Sequence, residues 1–439
     1  MTRLVSAAPL VTLRRLFAVL TLFSTVRFIG YGWVETQVLQ PTWLFPFDGF
    51  EWLPRPTVEG AILLFTGMLV GSCLMFFDRV ARLGAFTFFI CFTYVELLDK
   101  CNYLNHYYFV SLVAFLLILI PTRSDRPMVP LFMKSAFQGL LALVYFFAGL
   151  AKLHTDWLIE ALPLSIWLPQ HSSLPLIGPL LAERWIAYAF SWAGAAFDLF
   201  APFALFSDKL RPWFYPILVV FHVLTWVLFP IGIFPWVMIL STTVFFRDDW
   251  HYSLWDRLGL PLAKAKTAPL VSHARMGWQF AVIGVLFIFQ VIFPWRHLVY
   301  PGNPFWHETG YRFGWRVMLM EKSGMATFYV KEETGVERIF ELDKILTPNQ
   351  VKMTATQPDL LRQVARRIAA ENEGEERVRA EVWVSMNGRR SQLYLDPFED
   401  LSTPIASWAP RTYVLPLDSV IRPAEWDKMR ESQRNERGW

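Results

Sequence analysis

Charge is what this 439-residue chain has least of: 18% of its residues are charged and 54% are hydrophobic, where an average soluble domain is about 25% charged. That shortage excludes a soluble enzyme, a disordered chain and a nucleic-acid binder, each of which needs a solvated or basic surface. Cysteine is also scarce. Cys73, Cys91 and Cys101 make no CxxC or zinc-like spacing and no disulfide framework. No internal repeat or low-complexity segment is present, and no small-residue cleavage site closes the first apolar run after Arg14 and Arg15. That run therefore reads as a first membrane span and not as a removable leader.

The charge that exists is unevenly spread. Residues 1–293 hold 20 Lys/Arg and 16 Asp/Glu, whereas residues 294–439 hold 21 of each in half the length. The sequence predicts a membrane domain over 1–293 followed by a soluble domain over 294–439. Apolar stretches near the length that crosses a bilayer lie at roughly 16–34, 58–77, 83–98, 104–121, 135–151, 185–206, 213–229, 231–246 and 274–293. The third and eighth are short, and only Pro230 to Gly232 separates the seventh from the eighth, so eight or nine spans are expected. Loop charge alternates: Arg14 and Arg15, Arg79 and Arg82, Arg123, Arg126 and Lys134, Lys209 and Arg211, and Arg247, Lys264 and Lys266 fall on one side. Glu35, Asp48, Glu51, Asp156 and Glu160 fall on the other. The positive-inside rule puts the first set and the N-terminus in the cytoplasm, and nine spans then place the soluble domain outside it.

That domain reads as α+β. Strands at Ala326–Val330 and Val336–Leu342 flank Gly335, and Glu381–Met386 and Arg389–Leu395 flank Asn387-Gly388, a strong hairpin signal. Between them Leu360, Leu361, Val364 and Ile368 recur at helical spacing, with Arg362, Arg366 and Arg367 on other faces. The domain holds no nucleotide-binding loop, no HExxH and no nucleophile elbow.

Ionisable groups near apolar spans are costly, which makes them candidates for function. In the stretch Leu98–Tyr108, a helix starting near Tyr103 would take Asn102 as N-cap and carry Asn105 and His106 in its first turn; an ordinary capped polar loop is the plain alternative. Lys152 ends the apolar run Val144–Ala151. Burial there disfavours its charged form and would suit a base or nucleophile, whereas a snorkelling lysine bound to helix carbonyls is the structural alternative. His222 and Asp198 lie within spans, where they could pair with each other. After the last span come His297, Trp306, Tyr311 and Trp315, an aromatic group that suits either a membrane-surface belt or a stacking pocket.

Taken together, these stretches resemble the vitamin K-dependent γ-carboxylase family, whose membrane core is shared with horizontally transferred transmembrane domain (HTTM) proteins. LDKCNYLNHYY (98–108), VYFFAGLAKLHTDWL (144–158), FDLFAPFALF (197–206) with 221–240, PWRHLVYPGNPFW (294–306) with YRFGWRVM (311–318), and EVWVSMNGRRSQLYLDP (381–397) with RTYVLPL (411–417) match family motifs in order. The resemblance implies an integral membrane enzyme that oxygenates reduced vitamin K, or another quinol, to its epoxide and carboxylates glutamate in a client peptide or protein. O2 and CO2 would be co-substrates, and no metal is expected. Lys152 falls on the family's catalytic base, and Asn105 and His106 on its Asn-His pair. Tyr311, Trp315, Trp306, His222 and His297 become candidates for quinone or substrate binding.

Departures from the pattern are specific. Ala151 stands where the family often has a second lysine, Thr225 replaces an Asn and His154 an acidic residue. The sequence ends soon after Arg411-Thr412, and no cysteine follows Cys101 to form the animal family's disulfide. The compact length suggests a bacterial-type member in an inner membrane, with client binding reduced. Two other functions compete: a quinol epoxidase or mono-oxygenase without carboxylation, and a non-catalytic quinone- or peptide-binding membrane protein.

Overall fold

The computed structural model describes residues 3–264, 277–331, 336–371, 377–406 and 408–417; Gly335 and Lys266 lie outside them. Seven helices among the described residues are long and apolar enough to cross a membrane: α1 (Ala8–Gly30), α2 (Val58–Phe76), α3 (Ala81–Leu98), α5 (Leu131–Leu150), α9 (Arg184–Phe206), α10 (Arg211–Leu228) and the helical run Gly277–Val299, whose regular part is α13 (Gly277–Ile292). Two shorter apolar helices, α4 (Asn105–Leu119) and α11 (Phe234–Thr242), complete the series. The fourth expected span is thus shorter than its apolar run, because α4 begins only at Asn105 and gives way to extended backbone at Ile120.

The first span starts about two turns before the expected point. Arg14 and Arg15 lie inside α1 and are buried. Arg14 pairs with Asp78 and donates to the carbonyls of Met75 and Phe76 at the end of α2, so a charge expected in a loop fastens two helix ends. A short ribbon of β1 (Leu4–Ser6) and β2 (Met128–Pro130), antiparallel, was not legible in the sequence. Short helices α6 (Thr155–Leu158), α7 (Leu164–Trp167) and α8 (Gly178–Leu181) fold the α5–α9 connection, and α12 (Asp248–Arg257) follows α11.

After α13 and the one-turn α14 (Pro304–His307), the tail forms a four-stranded antiparallel sheet in the order β4-β3-β5-β6, with β3 Lys322–Lys331, β4 Glu337–Phe340, β5 Arg377–Met386 and β6 Gln392–Leu393. The second hairpin turns where expected, with Asn387 and Gly388 both at positive φ (50° and 76°), as a tight two-residue loop requires. Helices α15 (Pro348–Thr354) and α16 (Pro358–Glu371) pack on the sheet. Leu360, Leu361, Val364 and Ile368 are all fully buried, as their spacing predicts, but so is Arg362, which donates to Thr403 O and pairs with Glu399. The tail's hydrophobic core runs on without a break into Trp43, Trp157, Leu164 and Ile186 of the membrane part.

Candidate functional site

Lys152 lies just past the C-terminus of α5, on a turn in which its backbone N–H bonds to Gly149 O. Gly149 sets the next distance. A Cβ there would come within 2.8 Å of the Leu199 backbone nitrogen, so glycine lets α5 and α9 touch, and Lys152 Nζ reaches Asp198 Oδ2 at 2.6 Å. Nζ also donates to Ala148 O (3.2 Å) and lies 5.3 Å from the centre of the Trp157 ring. The expected lysine among apolar groups alone is therefore corrected: a buried carboxylate is its direct partner. His222, which could have taken Asp198, instead bonds through Nε2 to the Tyr145 hydroxyl at 2.8 Å, and its Nδ1 is buried without a partner among the described residues.

This group opens onto a cavity of ≈ 110 Å³ walled by Trp157, Trp167, Phe190, Phe221, Phe229 and Phe234. Lys152 and Asp198, already paired, are the charged residues on its lining. A second cavity of ≈ 340 Å³ adjoins it, since Ile231, Phe234, Val317 and Met318 line both. Phe234 stands between the two histidines, its ring centre 5.6 Å from that of His106 and 6.1 Å from that of His222. The Pro230–Gly232 turn between α10 and α11, with Gly232 at φ 60°, delivers Phe234 to that position.

The second cavity holds His106, Asn105 and Tyr311 together with Arg27, Lys100, Arg312 and Arg316. Asn105 and His106 do fall in the first turn of α4, but Asn102 is not its cap: it closes a single 3-10 turn, Lys100–Asn102, capped by the Asp99 carboxylate, which accepts from Cys101 N. Asn105 is committed on both sides, accepting from the Tyr103 hydroxyl (3.0 Å) and donating to Arg316 O (2.8 Å). His106 makes no hydrogen bond to a described residue and presents its ring to the cavity. Tyr311 is half-buried in the same wall, and desolvation pushes its hydroxyl well above the usual phenol range.

Other candidates sit elsewhere. Trp315 is 1% exposed and stacks on Tyr108 (5.1 Å), behind the cavity lining. Trp306 donates to Leu415 O inside the tail, and His297 bonds Pro294 O at the edge of the last span; neither borders the two cavities.

The tail reaches the Lys152 loop directly. Asp156, four residues on, receives Arg389 Nη1 and Nη2 (2.8 and 2.7 Å) and Asn387 Nδ2 (2.8 Å) from the second hairpin. Burial alone would raise the Asp156 carboxyl, but these donors outweigh it and hold it below the usual carboxylate range. Trp157 Nε1 donates to Ser191 O at 2.8 Å, and the Ser191 hydroxyl returns a bond to Trp157 O.

Two family models match the chain. Residues 2–250 match the HTTM domain, and residues 275–420 match the lumenal domain of vitamin K-dependent gamma-carboxylase. The chain belongs to this gamma-carboxylase family. It is a gamma-carboxylase-like integral membrane protein, and its tail corresponds to the family's lumenal domain. No solved structure matches the chain. Sequence reasoning left Arg27 and Arg316 out of the candidate site. Arg27 carried a signal, a lone cation near the C-terminal end of an apolar run; Arg316 carried none apart from its place beside Trp315.

Proposed function

We propose that the protein couples oxygenation of a reduced quinone of the vitamin K class to carboxylation of a peptide glutamate, and that its two adjoining cavities divide this work. One observation carries the reading: Lys152, paired with Asp198, lies on an aromatic-walled cavity that shares a wall with the chamber holding His106. The aromatic rings and the absence of an unpaired charge on the first lining suit a neutral ring with an isoprenoid tail. Trp157, Trp167, Phe221 and Phe234 would hold it, with His222 Nδ1 as the free polar atom. Reduced vitamin K, when bound, supplies on oxygenation the strong base that takes the glutamate γ-proton.

Lys152 Nζ relays the quinol hydroxyl proton: its ammonium passes one proton to the Asp198 carboxylate across their 2.6 Å hydrogen bond, and the amine left behind takes the quinol's in its place. His106, with no hydrogen bond to a described residue, is free to donate to negative charge developing on the substrate side. Asn105 positions the Arg316 backbone and thereby the segment that closes both cavities. The tail excludes water by laying Val317 and Met318 over them. We place the division between membrane and soluble domains near residue 293, the N-terminus in the cytoplasm and the tail outside it.

Purified protein in detergent, given reduced vitamin K, oxygen, labelled bicarbonate and a short glutamate peptide, should form both epoxide and labelled peptide. Epoxide without label would select the epoxidase reading. Neither product, where a working family enzyme gives both, would overturn the proposal. Phe398, 87% exposed in the tail, tests orientation: Phe398→Cys should react with an impermeant reagent on intact cells, and protection would reverse the assignment.

A further inference from the structure

The larger cavity contains charges that the described residues do not neutralise. Arg312 is answered by Asp359, and Lys100 by Asp48 (3.2 Å) and Asp359 (3.7 Å). Glu308, the acid on the lining, is taken by Lys322 at 2.7 Å. Arg27 and Arg316 have no such partners: no carboxylate among the described residues lies within salt-bridge distance of either, and neither guanidinium makes a hydrogen bond to a described residue. Arg316 is 6% exposed, and the Nε atoms of both are buried and unsatisfied. For Arg316 a buried unpaired charge is strongly unfavourable; Arg27 is half-buried, and both cations face the same space as His106 and Tyr311.

We propose that Arg27 and Arg316 form a carboxylate-binding cradle that recognises the glutamate side chain and sets the preference of this protein for acidic peptides. The inference deepens the carboxylase reading and rests on it for the peptide ligand. A guanidinium offers a planar fork of donors that matches a carboxylate two-to-two. Two of them, from α1 and from the tail segment after Tyr311, can hold one carboxylate before carboxylation and the pair of geminal carboxylates after it. Arg316 O is fixed by Asn105 Nδ2, and the Arg27 side chain packs over Tyr31 and Trp33 (5.5 and 5.1 Å) with its terminal nitrogen against Gly232. Any Cβ at Gly232 would meet Arg27 Nη2 at 3.1 Å, so the α10–α11 turn leaves room for this guanidinium.

The test is binding of a labelled short glutamate peptide, and of the same peptide with glutamine in its place, to the full chain in detergent without quinol. The wild type should prefer the glutamate peptide. Arg316→Gln and Arg27→Gln should each weaken it about tenfold or more, leave the glutamine peptide within about twofold, and so erase the discrimination; Arg316→Lys should recover part of it. Equal weakening of both peptides in a variant that keeps the wild-type thermal midpoint, or no weakening, would overturn the cradle; where a glutamine variant lowers the midpoint, the folded Arg316→Lys variant decides, and unchanged discrimination in it would overturn the cradle. Lys152→Ala, inactive if the carboxylase reading holds, should bind the glutamate peptide as the wild type does. Discrimination that survives in an arginine variant removes the cradle alone, whereas turnover that survives Lys152→Ala removes the catalytic reading alone.

Discussion

The two cavities share a wall and differ in how charge is balanced. In the smaller one a lysine and an aspartate cancel each other at 2.6 Å, so the space presents a neutral, aromatic surface. In the larger one two guanidiniums remain without partners among the described residues, so the space presents net positive charge. The difference teaches what each can hold: a ring without charge in the first, a carboxylate in the second. Phe234 lines both cavities, its ring between His222 of the first and His106 of the second.

The largest expected break is at the neutral side. Lys152→Ala removes the proposed proton relay and strands Asp198; turnover measured as epoxide and fixed label should fall by about 10²–10⁴-fold, and Asp198→Asn should fall in the same assay by less. Next is the link that holds the Lys152 loop to the tail. Arg389→Ala leaves Asp156 buried without its main partner and should cost about 3–5 kcal/mol of stability, read as a lowered thermal midpoint.

The same link responds to acid. The folded-state pKa of Asp156 is lowered, so its contribution is present above the unfolded carboxylate value, about 4, and is lost as pH falls through the lower folded value. Thermal midpoints should therefore drop below about pH 4, and by less in Asp156→Asn. Asp359, held well below the usual range because Arg312, Arg411 and Lys100 outweigh its burial, adds a loss of the same sign. The smallest effect should come from His297→Gln, which removes one bond to Pro294 O and touches neither cavity: about 1 kcal/mol of stability at most, with the KM for quinol and for peptide unchanged.

Much of this was legible in the residue order. Apolar run lengths gave the helices, and Asn387-Gly388 gave the hairpin, because both are local consequences of burial and backbone sterics. Lys152, His106 and Asn105 stood out because ionisable and amide groups are rare beside apolar runs. The place of Arg14 inside α1 was not legible: its partner Asp78 is 64 residues away, and only tertiary contact tells a buried paired arginine from a loop arginine. The same applies to Trp306, whose aromatic surroundings suited a ligand pocket but whose indole bonds to Leu415 O within the tail.

By itself, then, the sequence determined that this is a chain of apolar helices with a charged α+β tail, and which few polar residues could do chemistry. Tertiary structure alone decided how those residues are partnered: Lys152 with Asp198, His222 with Tyr145, Asp156 with Arg389, and Arg27 and Arg316 with none among the described residues. The reason is range. Hydrophobic periodicity acts between neighbours along a helix, whereas the energy of a charge is set by what lies within a few ångströms in space, and those neighbours come from helices and strands far apart in the chain.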